Sequence, residues 1–403
     1  MPTSAPEWLS TEQGHQVLED LLDASDRSIL DTVDHFILDE LEPRAAEIDQ
    51  SEEFPRDLYR KAADLGFFAL AIPEKYGGLE VRLLTQFLMT ERLSRSSPTF
   101  ALIVTTCPDA LVAIRLAGSE ELKSEILPKA AEGKLLPALS LSEPGGGSDL
   151  AALRATATRD GDHYVLNGTK AWCTHGSISD VITIFAKTDL TAGSRGLSAF
   201  VVPAKTHGLE FVRNERLMGL RGAPTTQLAI SGMRIPASRR LGAEGDGSRL
   251  ARWALDEARL NAAAQGLGVA HRCFAEAIAY ARQRHAFGKP IIEHQGLEFL
   301  FAELATEIAA ARELWLRAIL LLEKERSHIA SMYASMAKNM CSAVGMRMTI
   351  EAIQVFGAIG LSRDLPLERF MRDVKAFQIF DGPTQIQNMI VGRHLARFGL
   401  PVW

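Results

Sequence analysis

Apolar and polar positions divide the chain into three zones. From about Asp26 to Gly133 the period is helical: Ile29, Val33, Phe36, Ile37 and Leu41 fall three or four apart and so share one face. Pro55 opens a further helix through Leu65, with Gly66 as its stop. Leu83–Leu93, Ala101–Leu116 and Glu120–Ala131 continue in the same style.

From about Pro137 to Gly242 the segments become short, alternating and rich in β-branched residues. Tyr164–Leu166 runs into Asn167-Gly168, a turn signal. Val181–Lys187, Leu197–Val202 and Gln227–Ile230 also read as strands. Beyond about Asp246 the pattern is helical again. Trp253–Arg282 is long and Ala-rich, and Leu297, Leu304, Ile308 and Trp315 mark one face of the next helix. Met332–Val355 and Gln385–Phe398 complete four helices in sequence, which predicts a bundle. The expectation is an α+β fold: an N-terminal helical domain over residues 1–136, a β-barrel domain over 137–243 and a C-terminal four-helix bundle over 244–403. Strands do not alternate with helices, which disfavours a doubly wound parallel sheet.

Composition narrows the class. A chain of 403 residues with 47% hydrophobic and 23% charged residues is a globular mix. The net charge of −6, without a long block of one sign, argues against nucleic acid or an anionic membrane as main partner. No run approaches 18 consecutive apolar residues, and Met1–Gln13 has no leader-like apolar core. Cys107, Cys173, Cys273 and Cys341 are widely spaced, which fits a reducing, cytoplasmic setting. Neither GxGxxG after a strand nor GxxxxGK[ST] is present, and HExxH and GxSxG are absent too.

Four stretches could carry chemistry, and each also fits a structural role. Ser142-Glu143-Pro144-Gly145-Gly146-Gly147-Ser148-Asp149 could bring backbone N–H groups to a bulky anion, or be a plain turn. Asn167–Gly176 contains Trp172, a flat apolar face, and Thr174, a donor; together they suit a planar heterocycle, or a hairpin with a core Trp. Arg284–Pro290, followed by Gln295, breaks a long helix; its Arg could clamp phosphate or be solvated. Gln354–Gly360 precedes Phe380-Asp381-Gly382-Pro383-Thr384-Gln385-Ile386-Gln387. Asp381, flanked by aromatic residues, is either a desolvated base or a helix cap.

In this order, and on this α–β–α layout, the four stretches resemble the acyl-CoA dehydrogenase family from about Asp26 to Leu400. The resemblance implies an FAD flavoprotein, usually a homotetramer (a homodimer being the alternative). It implies that Leu141, Ser142 and Ser148 line the flavin and acyl-carrier region, and that Trp172 and Thr174 pack at the isoalloxazine ring. Arg284, Phe287, Gln295, Gln354, Gly357 and Ala358 would reach FAD from a neighbouring subunit. Thr384 and Gln385 would lie near its adenine dinucleotide part. Ser148, Asp256, Arg259 and Gly382 would meet the substrate, Asp256 and Arg259 at its CoA portion.

The reaction implied is α,β-dehydrogenation of an acyl thioester. Asp381 removes the α-proton, its N–H helps bind the thioester oxygen, and the β-hydride leaves to the flavin. An electron-transfer flavoprotein would take the electrons. Most relatives carry Glu at the position of Asp381. A second subgroup places its Glu at the position of Ala258; Glu257, one residue off, is turned about 100° around the helix. Asp is one methylene shorter, about 1.5 Å, and a misplacement near 1 Å can cost roughly 100-fold in rate. Pro383 stands where relatives commonly have Thr. These departures point to an unusual substrate: an alicyclic or branched acyl-CoA, or an acyl group on a carrier protein. Two other readings stay open. One is a flavoenzyme of the same fold with other chemistry, nitroalkane oxidase-like or a flavin monooxygenase; the other is a non-catalytic protein. Oxygen reactivity of the reduced flavin separates the first of these from a dehydrogenase.

Overall fold

The computed structural model describes residue 8 and residues 20–399; apart from Trp8, the leader reading of residues 1–13 lies outside them. The N-terminal zone folds as helices α1 (Ala24–Phe36), α2 (Ala45–Ser51), α3 (Arg56–Asp64), α4 (Leu83–Ser96), α5 (Pro98–Ala117) and α6 (Glu120–Ala131). Local chemistry sets several of their ends. Asp23 and Asp26 form a reciprocal capping box at α1. Ser97 caps α5 through the Phe100 N–H. Pro55 precedes α3, and Gly66, at φ 80°, turns the chain out of it.

Eight strands follow: β1 (Pro137–Ser140), β2 (Thr156–Asp160), β3 (His163–Thr174), β4 (Val181–Lys187), β5 (Leu197–Pro203), β6 (Leu209–Asn214), β7 (Thr225–Pro236) and β8 (Arg240–Leu241). They form one sheet in the order β6-β7-β3-β2-β4-β5-β8, with β1 parallel to β4. Where a barrel is expected, the hydrogen-bonded path stays open between β6 and β8 among the described residues. One face buries Tyr164, Leu166, Ile184, Phe200 and Met233. The other packs Phe185, Val201 and Leu241 on the helices of the N-terminal zone.

Asn167-Gly168 is not a turn. It lies inside β3, and the chain reverses earlier, around Gly161 (φ 61°), to pair β2 with β3. Gly168 serves close approach instead: at φ 145°, an added Cβ would lie 2.7 Å from the Ala155 Cβ. Asn167 Oδ1 accepts from the Gly232 N–H at 2.7 Å, which ties β3 to the bend in β7.

The C-terminal zone comprises α7 (Gly247–Gln283), a small hairpin of β9 (His285–Ala286) and β10 (Lys289–Pro290), then α8 (Gln295–Lys324), α9 (His328–Phe356), α10 (Leu367–Phe377) and α11 (Thr384–Phe398). Helices α7 and α9 run parallel, since Asp256 meets Ser331 and, further along, Gly266 meets Cys341 and Gly345. A Cβ on Gly266 would come 2.8 Å from the Cys341 carbonyl oxygen, and one on Gly345 would come 2.7 Å from that of Gly266. The backbones therefore touch. Segments Pro98–Ala117 and His328–Leu361 are long and apolar enough by composition to cross a membrane. Here α5 and α9 instead pack against α7, with Ile103, Val104, Ala337 and Met348 fully buried.

Gly168→Ala is expected to lower stability by about 1–3 kcal/mol, because it adds backbone strain and a clash at one position. Denaturant unfolding beside the native chain measures this; an unchanged midpoint would show that Ala155 can move aside.

Candidate active site

Asp381 ends a turn between α10 and α11 and adopts φ 54°. Asp tolerates this left-handed conformation better than a longer carboxylic acid does, because its short side chain can bond locally. The capping role is not realised. Pro383 occupies the N-cap of α11, and no side chain caps that end. Among the described residues the Asp381 N–H donates to no protein group. Burial pushes the Asp381 carboxyl up to about 6, against the opposing charges of Lys338 and Arg259.

The loop is held from two sides. The Lys338 ammonium, on α9, donates to the Gly382 carbonyl at 2.7 Å. Gln387 Nε2, on α11, donates to the carbonyls of Asp381 at 3.0 Å and Gly382 at 2.7 Å. Gly382 has φ 94°, and an added Cβ would meet Gln387 Nε2 at 2.5 Å. On α7, Arg259 donates to Asp256 Oδ1 at 2.6 Å, and Ser331 donates to the same oxygen at 2.8 Å. Asp256 and Arg259 thus form a buried group beside Asp381, with the Arg259 charge acting on it.

Ala258 offers no acid, and Glu257 is committed elsewhere. Arg115 Nη2 lies 2.7 Å from its carboxylate, and Arg326 donates to its other oxygen. Against the pull of burial, these two cations hold Glu257 below the usual carboxylate range.

The sequence did not single out the second acid near Asp381. Asp109 follows Pro108 inside α5, and Asn261 Nδ2 donates to it at 2.9 Å. Burial, then the charges of Asp381 and Glu257, push its carboxyl well above the usual range. Lys338 and Asp109 were missed together, whereas Gln387 closes the Phe380–Gln387 stretch but was given no role. The available signal was a single charge inside an otherwise apolar helix, at Lys338 in Ala334–Val344 and at Asp109 in Phe100–Ile114.

The expected cofactor residues fall into two other groups. Ser142 and Ser148 bound the glycine turn that follows Leu141. The Ala171 N–H donates to the Ser142 carbonyl at 3.0 Å, which joins the turn to β3. Glu143 inside the turn accepts from the N–H groups of Arg154 (2.7 Å) and Ala155 (2.9 Å) and from the fully buried Lys170 ammonium (2.9 Å). Against burial, these partners keep Glu143 below the usual range. The β3–β7 register slips between Lys170 and Cys173, where Trp172 takes φ 61° and turns outward at 59% exposure. It is not a core residue. Thr174, two positions on, is partly exposed.

The remaining residues lie on the outer face of the bundle. Phe287 (φ 52°) is 98% exposed. With His294, Leu297 and Gln354 it lines a groove of about 320 Å³. Arg284, Gln295, Gly357 and Ala358 are also exposed, while Thr384 and Gln385 begin α11 beside Asp381. Among the described residues, Arg284, Phe287, Gln295 and Gln354 make no hydrogen bond to Asp381, Lys338 or Arg259. Together the glycine turn, outward Trp172, exposed Arg284 and open groove fit a large anionic ligand with a flat ring system.

Family models of the acyl-CoA dehydrogenase N-terminal, middle and C-terminal domains match residues 23–134, 138–233 and 245–396. The chain belongs to the acyl-CoA dehydrogenase family, FAD flavoproteins that dehydrogenate acyl thioesters. It is 41% identical to cyclohex-1-ene-1-carbonyl-CoA dehydrogenase of Geobacter metallireducens, over 91% of this chain and 96% of the relative. The enzyme of that name from Syntrophus aciditrophicus is 37% identical, over 91% and 89%. The solved structure of butyryl-CoA dehydrogenase from Megasphaera elsdenii superposes with a TM-score of 0.90 at 32% identity, over 93% of this chain and 99% of that one.

Lys170→Met would leave the Glu143 carboxylate buried without its cation. A loss of about 3–5 kcal/mol is expected, together with weaker retention of FAD through a loosened glycine turn. Thermal unfolding with and without added FAD checks both; native stability would mean that the two backbone donors suffice for Glu143.

Proposed function

We propose that the chain dehydrogenates an alicyclic or α-branched acyl-CoA, with Asp381 as the base. The observation that carries this reading is the desolvated Asp381 carboxyl, raised to about 6 in a left-handed turn whose N–H donates to none of the described residues. A base for a weak carbon acid needs a raised pKa and a positioned carboxylate, and the turn supplies both. A carboxylate nearer its backbone than Glu would be leaves room for a bulkier α-carbon. The two relatives named for cyclohexene-carbonyl-CoA agree with that shape argument.

FAD, when bound, supplies the acceptor for the β-hydride. Ser142, Ser148, Trp172, Thr174, Thr384 and Gln385 would hold it within one chain. Arg284, Phe287, Gln295, Gln354, Gly357 and Ala358 would hold it from a neighbouring subunit of a homotetramer or homodimer. The exposed Phe287 and the groove beside it support that assembly. Asp256, Arg259, Ser148 and Gly382 would meet the thioester. An electron-transfer flavoprotein is the expected electron acceptor, and the four buried free thiols suit a reducing cytoplasm. A carrier-protein thioester is the second reading. It draws on a solved structure described as a prolyl acyl carrier protein oxidase, 29% identical with a TM-score of 0.88.

An anaerobic titration with butyryl-, isobutyryl- and cyclohexanecarbonyl-CoA, each of which carries an α-proton, tests the substrate class through loss of flavin absorbance. Bleaching by cyclohexanecarbonyl-CoA or isobutyryl-CoA supports the proposal; bleaching by butyryl-CoA alone refutes it. Reduction only by a carrier-bound acyl group moves the assignment to the second reading. Asp381→Asn is expected to keep FAD and slow bleaching by roughly 100-fold or more. The native kcat/KM profile should fall on the acid side with a midpoint near 6, where Asp381 takes up a proton and ceases to act as a base. A profile flat from pH 5 to 7 would remove that role.

A further inference from the structure

We propose that Lys338 is a positioning residue for the reaction: its buried ammonium pins the Gly382 carbonyl, so fixing the turn that aims Asp381, and its charge keeps that carboxylate ionised. The inference rests on Asp381 being the base.

Lys338 is fully buried on α9, next to Ala334, Ala337 and Cys341. Its hydrogen bond goes to a neutral carbonyl, Gly382, at 2.7 Å. A buried ammonium needs a compensating negative charge, and the one acting on it is Asp381. Burial lowers the ammonium to about 8, with Asp381 holding it up and Arg259 pressing it down. It therefore still carries its proton at neutral pH. Of the other charges, Arg259 on α7 is paired with Asp256. Burial, then the charges of Asp381 and Glu257, push the Asp109 carboxyl on α5 well above the usual range. Lys338 is thus the cation not already committed to a carboxylate salt bridge.

Geometry adds the second half. Residues 381 and 382 take successive left-handed conformations, φ 54° and 94°. Their two carbonyls are gripped from opposite helices, by Lys338 on α9 and by Gln387 on α11. Both ends of the grip are buried, since Gln387 is also fully enclosed. With these two carbonyls held, the two peptide planes that follow the Asp381 Cα are restrained, and with them the point from which its side chain leaves the backbone. Gln387 shares the Gly382 carbonyl, so removing Lys338 does not orphan that oxygen. A variant there should fold.

The test uses FAD-loaded Lys338→Met, Lys338→Gln and Lys338→Arg beside the native enzyme. Each is labelled with carboxyl-¹³C aspartate. The Asp381 signal is the one missing from Asp381→Asn, and its titration reads the ionisation directly, without a substrate. Loss of an opposite charge at this range is expected to move the midpoint up by about one pH unit or more in Lys338→Met. Lys338→Arg should keep the native midpoint. Lys338→Gln should shift it as Met does while preserving slow amide exchange over residues 378–387. Bleaching by the most reactive thioester of the panel should fall roughly 10- to 100-fold in Lys338→Met at pH 7. An unmoved midpoint in Lys338→Met, at whatever rate, overturns the proposal and leaves Lys338 a structural filler. Native bleaching by Asp381→Asn would instead overturn the base assignment, so the two failures are distinguishable.

Discussion

The direct contact between α7 and α9 governs most of what surrounds it. Gly266 and Gly345 allow the two backbones to touch, and neither position has room for a Cβ. The helices are parallel, so the turns before the crossing also lie side by side. This juxtaposition brings Arg259 and Asp256 of one helix against Ser331 and Lys338 of the other. The loop ahead of α11 then lands on a prepared set of charges. A larger side chain at either glycine would separate the cations from the carboxylate they stabilise.

Electrostatics at this place is asymmetric. Two carboxyls lie close enough to influence each other, and cations act on both, but the one acting on Asp109, Arg115, is already paired with Glu257. Asp381 has Lys338 and Arg259, whereas Asp109 has an amide donor, Asn261. Like charges in a desolvated region disfavour each other, and here the Asp109 carboxyl is pushed well above the usual range while Asp381 rises to about 6. Glu257, the third acid on this side, is held below the usual carboxylate range by two arginines, and its charge adds to the rise at Asp109.

Helices such as α1, α5 and α8 were legible in the sequence because they bury runs of apolar residues at helical spacing, whereas α11 buries only Gln387 and His394. The ordered motifs were legible for a different reason: their weak individual signals recur together. Asn167-Gly168 misled because glycine there answers to Ala155 across the sheet, a neighbour that local sequence does not reveal. The open sheet edge likewise depends on which strands meet. Trp172 could be read either way until the register slip beside it was seen. Lys338 acquires meaning through Gly382, 44 residues further on. A lone charge in an apolar helix gives warning of such a partner but does not identify it.

The apolar character of α5 has a further consequence for biosynthesis. Residues 98–117 would pass as a membrane segment by composition, and part of the surface that covers them belongs to a helix beginning at Gly247. At ordinary elongation rates of about 5–20 residues per second, that partner emerges roughly 7–26 seconds later. During this interval the nascent chain offers a water-shy segment to chaperones and to the insertion machinery alike. The same burial that makes Asp109 reluctant to ionise in the finished fold thus makes its helix the one most in need of protection on the ribosome.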